Sequence, residues 1–257
     1  MGLTPDEIER YKRNLALPDF GNREQNRLKG AKVAIVGAGG LGSPVSTYLT
    51  LAGVGEIVII DMDKVDLTNL NRQFLYKTDD VGKQKAEQAA KRLNDINPEI
   101  DVSAILEKIT YDNAFDLLKG YDAVVDCMDN FSGRYAVNDA CAVNRVPLFH
   151  GAVLMHEGRA ISIIPKETAC FRCVFPESPP ADLVPAGTGI LGAMAGLVGS
   201  IQAFEAIRYL TGVEITLKNV LLVINADTMD FNKIKVKRRE DCTACGSVFV
   251  SKPVPEV

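Results

Sequence analysis

Lys32-Val33-Ala34-Ile35-Val36-Gly37-Ala38-Gly39-Gly40-Leu41-Gly42 is an apolar run that breaks into glycines spaced Gly-x-Gly-x-x-Gly. Read as a strand, a tight loop and a helix opening near Ser43, it leaves backbone N–H groups unbonded at a helix start, where they can bind a phosphate or pyrophosphate. Glycine is needed there because a side chain would keep a phosphate away from the backbone. A second apolar run over residues 56–60 ends at Asp61, about where a dinucleotide fold carries the acid that hydrogen-bonds a ribose hydroxyl. A nucleoside is therefore expected against Gly37, Gly39, Gly40, Gly42 and Asp61. The same loop also serves NAD and FAD domains, so the residues downstream must identify the ligand.

Those residues are Asp63, Asn69, Arg72, Gln73 and Lys85. Two cations soon after Asp61 suit a triphosphate better than a nicotinamide. The chain has only two histidines, His150 and His156, and no carboxylate pattern beside them marks a proton relay. Each is read as structural or surface. After the strand-like Ala123-Val124-Val125-Asp126 comes Cys127-Met128-Asp129-Asn130, at the carboxyl edge of a parallel sheet, where such folds bind ligands. Asp129 is a candidate magnesium ligand, since nucleotide-bound magnesium takes one or two carboxylates plus phosphate oxygens. As an alternative, Asp129 caps the helix that follows.

Around this core the 257 residues, 47% hydrophobic and 24% charged, suffice for one large α/β domain. A net charge of −4 gives no support to nucleic-acid binding through a basic surface. The first six residues carry no apolar leader core, and Asp6 stands where a myristoylation motif wants Ser or Thr, so a cytoplasmic protein is the default expectation. Residues 183–204 carry no charge, but glycines, Pro185 and Gln202 dilute them. With small residues at Gly192, Gly196 and Ser200 they read as a buried helix, with no membrane contact.

Four of the six cysteines form two Cys-x-x-Cys pairs, Cys170/Cys173 and Cys242/Cys245. Four thiolates in two knuckles match a closed, structural zinc site that would pin the C-terminal segment to the body of the domain. A redox dithiol is the alternative reading of such a pair. Cys127 and Cys141 are expected to be buried apolar fillers.

Strands and helices alternate: strand 32–36, helix 43–52, strand 56–61, helix 83–94, strand 102–106, helix 112–118, strand 123–126, helix 131–144 and strand 147–150. That order means a Rossmann-like, mostly parallel sheet with helices on both faces. Beyond Gly151 the pattern changes to antiparallel strands at 159–164, 220–225 and 231–236. One domain is expected over residues 1–246, with a nucleotide half at about 30–150, an antiparallel, zinc-bearing half at about 151–246, and a flexible tail at 247–257.

Taken together with Arg10-Tyr11-Lys12-Arg13 and Asn69-Leu70-Asn71-Arg72-Gln73, these motifs resemble the MoeB/ThiF/HesA family, relatives of ubiquitin-activating enzymes, over nearly the whole chain. The resemblance implies an adenylyltransferase. Its ATP would meet Asp61 at the ribose, Asn69, Arg72 and Lys85 at the phosphates and Mg2+ on Asp129, while Arg13 would reach into the other subunit of a homodimer. The partner implied is a ubiquitin-like sulfur carrier of the MoaD or ThiS type ending in Gly-Gly. A free C-terminal carboxylate, with a pKa of about 3.5, needs no general base at pH 7. The enzyme's task would be to align reactants and neutralise pyrophosphate. Some members carry a further cysteine between the first knuckle and the small-residue helix. Residues 174–189 contain none, which points to adenylation alone and a separate sulfur donor. Molybdopterin, thiamin, cysteine and thiolated RNA can all draw on such carriers. An NAD- or FAD-dependent oxidoreductase and a non-catalytic carrier-binding module are the alternatives.

Overall fold

The computed structural model describes residues 2–177 and 189–246. Three short helices, α1 (Pro5–Arg10), α2 (Lys12–Leu15) and α3 (Asn22–Lys29), precede the first strand. Then follow β1 (Lys32–Val36), α4 (Gly42–Ala52), β2 (Glu56–Ile60), α5 (Lys85–Ile96), β3 (Asp101–Ile105), α6 (Tyr111–Leu117), β4 (Ala123–Asp126), α7 (Phe131–Asn144) and β5 (Leu148–Leu154). The chain continues through β6 (Glu157–Ile163), α8 (Phe171–Val174), α9 (Gly192–Thr211), β7 (Val220–Asn225) and β8 (Asp230–Lys235). All the strands join one eight-stranded sheet in the order β3-β2-β1-β4-β5-β6-β7-β8.

The first five strands pair in parallel and the last three antiparallel, so β5 is where the sheet changes character. Alternation along each strand divides the core between two faces. Val33 and Ile35 of β1, with Ile57 and Ile59 of β2, face α3, α4, α5 and α9. Ala34, Val36, Val58 and Ile60 point the other way, toward Ala114 of α6, Tyr135 and Val137 of α7 and Phe171 of α8. From β1 the chain moves outward to β2 and β3, then returns to lay β4 on the opposite side of β1. The strand order reverses there, and a crevice opens at the carboxyl ends of β1 and β4.

Strand β5 runs to Leu154, four residues past the predicted end at His150, and β6 begins at Glu157 instead of Arg159. The two form a hairpin closed by Met155 and His156, with Leu154 opposite Glu157 and Met155 at φ 52°. Gly151 sits inside the strand because any Cβ there would strike the amide of Gln202 on α9. That amide donates to the carbonyls of Asp126 (2.8 Å) and Phe149 (3.0 Å), clamping β4 to β5 below the crevice.

The small-residue helix is α9, and it continues past Phe204 to Thr211. It crosses a buried Glu205 because that carboxylate accepts from Ser162 Oγ (2.8 Å) and from the backbone N–H groups of Thr216 (3.0 Å) and Leu217 (2.9 Å). Gly192 begins α9 against Asn71 and Arg72, where a Cβ would lie 2.8 Å from a carbonyl oxygen. Residues 183–188 of the uncharged run and the tail at 247–257 lie outside the described residues. No helix among the described residues is long and apolar enough to cross a membrane.

Candidate nucleotide site

A cleft of about 730 Å³ occupies the crevice. Its floor is the glycine loop. Gly37 has φ 99°, and a Cβ there would lie 2.8 Å from the carbonyl oxygen of Cys127. Ala38 is pinned at both ends, its N–H donating to Asp61 Oδ2 (2.7 Å) and its carbonyl accepting from Tyr76 Oη (2.7 Å). Gly42 does not line the cleft; its Cα packs against the carbonyl of Gly37, where a side chain would collide. The backbone N–H groups of Gly39, Gly40 and Leu41 have no partner among the described residues, and they stand at the start of the 11-residue helix α4. Such a helix end attracts an anion.

Asp61 also accepts from Asp63 N (2.7 Å), so each of its oxygens holds one backbone N–H and keeps a lone pair for a ribose hydroxyl. Burial pushes its carboxyl above the usual aspartate range, against the opposing pull of those two N–H donors. Arg72 Nη1 donates to the Thr68 carbonyl (2.9 Å) and Asn71 Oδ1 (3.0 Å), and its stem rests on Gly40. Lys85 Nζ pairs with Asp63 Oδ2 at 3.0 Å. Gln73 is 4% exposed and its Oε1 has no hydrogen-bond partner. An orphaned acceptor at the cleft wall is what a ligand donor would satisfy.

On the facing wall, Asn130 is the residue that caps α7: its Oδ1 accepts from Gly133 N at 2.8 Å. Asp129 is therefore released from capping. It is exposed at the cleft, with one oxygen 3.2 Å from Asn130 Nδ2. A single available carboxylate beside a phosphate site fits magnesium.

The structure thus brings Gly37, Gly39, Gly40, Asp61, Asp63, Asn69, Arg72, Gln73, Lys85 and Asp129 to one cleft. Arg13 is not among them; it is exposed on α2. Sequence reasoning missed Arg134, which carries no motif of its own, and the β5–β6 hairpin residues Val153, Leu154 and Met155, all of which line the cleft. It also missed Tyr76, which braces the glycine loop without lining the cleft.

It also missed that both histidines have carboxylate partners. His150 Nδ1 lies 2.6 Å from Asp126 Oδ2 in the core, and His156 Nδ1 lies 2.7 Å from Asp227 Oδ1 at the surface. Neither is among the described residues that line the cleft. The structural reading of His150 stands, with Asp126 also accepting from Met128 N (2.9 Å) to shape the loop before Asp129.

The four knuckle cysteines converge, their sulfur atoms all within 4.8 Å of one another. Neighbouring Sγ atoms are 3.5 Å (Cys170–Cys242), 3.4 Å (Cys173–Cys245) and 3.8 Å (Cys170–Cys173) apart. Tetrahedral Zn–S bonds of about 2.3 Å place sulfurs about 3.8 Å apart, so the donors fit zinc. Arg239 N donates to Cys173 Sγ at 3.4 Å, a hydrogen bond that favours the thiolate form a metal needs. The knuckles are joined to α7 through Arg172, which grips Asp139 with two nitrogens at 2.8 Å. Cys127 and Cys141 are buried, and burial raises both thiols well above the ordinary range.

The model of the ThiF family matches residues 11–244. The sulfur carrier protein adenylyltransferase of Thermus thermophilus is 42% identical over 254 residues, covering 96% of this chain and 93% of its own. The SAMP-activating enzyme E1 of Haloferax volcanii is 40% identical, covering 96% and 92% respectively. A crystal structure of E. coli MccB with ATP superposes with a TM-score of 0.83 at 28% identity, over 92% of this chain and 74% of that one.

Proposed function

The chain belongs to the ThiF family, and on that premise we propose that it is an ATP-dependent adenylyltransferase acting on the C-terminal Gly-Gly carboxylate of a ubiquitin-like sulfur carrier. The carrying observation is the convergence, on one cleft, of free loop N–H groups, the cations Arg72 and Lys85, and the available carboxylate of Asp129. That set matches the charge of a triphosphate. The names of the Thermus and Haloferax relatives support a protein carrier as the second substrate, and the MccB–ATP likeness supports ATP as the first.

The reaction asks for little proton transfer. The carrier's terminal carboxylate, ionised at pH 7, attacks the α-phosphorus; the bond to the bridging oxygen breaks and pyrophosphate departs. The loop N–H groups hold phosphate oxygens, while Arg72 and Lys85 neutralise charge that grows on the leaving group. Asp129 would hold Mg2+, which when bound would supply positive charge that shares that task. Leu154 and Met155 of the hairpin line the cleft, and a diglycine tail, having no side chains, would need the least width to pass them.

Arg13 serves the cleft of a second copy, which makes the active form a homodimer. An apolar hollow of about 350 Å³ beside α2, lined by Tyr48, Leu51 and Phe204, offers the surface for such pairing. The activated carrier would receive sulfur from a separate donor, in a route such as molybdopterin or thiamin synthesis. The test is ATP–pyrophosphate exchange that requires a Gly-Gly carrier and is lost in Arg72→Ala and Asp129→Ala. Recovery of NAD or FAD from the denatured protein, with no exchange, would establish the oxidoreductase reading instead.

A further inference from the structure

Arg134 stands apart from the other cations of the cleft. It stands on α7, and it is only 8% exposed although it lines the cleft. Its Nε donates to the Met128 carbonyl at 3.0 Å and its guanidinium lies 5.2 Å from the centre of the Phe131 ring. Those contacts fix its plane. It forms no salt bridge, and its terminal nitrogens have no hydrogen-bond acceptor, among the described residues. Burial lowers its pKa, with Asp126 and Asp129 opposing that effect.

A desolvated guanidinium without an ion-pair partner is costly unless an anion arrives. The nucleotide's phosphates already face the loop N–H groups, Arg72 and Lys85 on the other wall. The second anion of the reaction is a carboxylate, whose two oxygens match the fork of a guanidinium. We propose that Arg134 receives the terminal carboxylate of the carrier and holds it against the α-phosphorus, making it a catalytic residue specific to the protein substrate; this rests on the adenylyltransferase reading. One carboxylate oxygen stays on Arg134 while the other forms the new bond to phosphorus and pyrophosphate leaves with the electrons of the broken bond. The arginine neither gives nor takes a proton. It lowers the repulsion between two anions that must touch.

The probe is a single Gly-Gly carrier that supports exchange, prepared by semisynthesis with either a free C-terminal acid or a C-terminal carboxamide. Its affinity is measured by titration in the presence of a non-hydrolysable ATP analogue, for the wild type and for Arg134→Gln and Arg134→Lys. Wild type is expected to prefer the acid by about 10- to 100-fold. Arg134→Gln should lose that preference, binding acid and amide alike, with its affinity for the ATP analogue within about twofold of wild type. Arg134→Lys should recover part of the preference, because the charge returns without the fork. If Arg134→Gln weakens acid and amide carriers equally, or weakens the nucleotide instead, the assignment is overturned. Wild-type protein that exchanges with no carrier overturns the adenylyltransferase reading and this proposal together; wild-type exchange with an unchanged acid preference in Arg134→Gln overturns this proposal alone.

Discussion

Lys85 Nζ lies 3.0 Å from Asp63 Oδ2, joining a side chain that is 9% exposed to one that is 63% exposed. In the free protein the aspartate is the lysine's counter-ion, and because it reaches solvent it can swing aside when phosphate arrives. Lys85→Ala is expected to lower the exchange rate about 10²- to 10³-fold. Its melting temperature should stay close to wild type, since the carboxylate left behind is hydrated. Exchange kinetics and thermal melts of the same preparation check both halves.

Glycines of one loop should separate stability from binding. Gly37→Ala forces a side chain into φ 99° and against the Cys127 carbonyl, so it should unfold or strongly destabilise the protein. A Cβ at Gly39 meets only Gln73 Nε2, at 3.7 Å. Gly39→Ala should therefore fold normally while obstructing phosphate, raising KM for ATP about tenfold or more. Equal melting losses in the two variants would sink this distinction.

Zinc content and its removal test the knuckles. About one zinc per chain should be released on denaturation, and none from a Cys173→Ser/Cys245→Ser double variant. Stripping the metal with a chelator frees the segment that Arg239 and Gly246 anchor beside α8. A loss of even about 2 kcal/mol would lower Tm by roughly 4–8 °C in a chain of this size.

Acid should destabilise the core through His150. Burial lowers its pKa from 6.5, more than the Asp126 hydrogen bond raises it, so the folded state keeps the imidazole neutral. Once unfolded, the same group takes a proton below about pH 6.5. The unfolded state then binds more protons, and the stability present above that pH is lost progressively as pH falls toward the depressed folded value. Thermal melts from about pH 7.5 to 5.5 should show the decline. NMR should find the His150 ring without a titration near 6.5; a midpoint there would contradict the dominance of burial over the Asp126 hydrogen bond.

Mixed dimers decide how Arg13 acts. Arg13→Ala and Asp129→Ala should each abolish exchange alone, yet an equal mixture allowed to exchange subunits should regain about a quarter of wild-type activity, because half the dimers hold one intact site. No recovery would show that Arg13 works within its own chain or not at all.

The parallel half was legible because its strands are apolar runs with glycine or acid punctuation; β4 and α7 match their predicted bounds. Strand β5 was cut short at Gly151, since a strand glycine reads as a stop unless one knows that Gln202 occupies the space above it. The helices before β1 are too short for periodicity to register. Helix α1 spans six residues and is held by the Thr4–Glu7 capping box and by Lys29, a contact made across 22 positions. In the cleft, Arg72 and Lys85 were readable because they follow a recognisable loop, whereas Arg134 is one arginine on an ordinary helix whose role exists only once Met128 and Phe131 orient it. His150 and Asp126 are 24 positions apart and meet only through strand register.

The fit between Gly151 and Gln202 ties two distant positions to a common fate. A methyl at 151 evicts the amide, and without the amide the carbonyls of Asp126 and Phe149 lose their shared donor. Among descendants of this chain, substitutions at 151 and 202 should consequently arise as a linked pair, and a library randomised at either position alone should return almost only the starting residue.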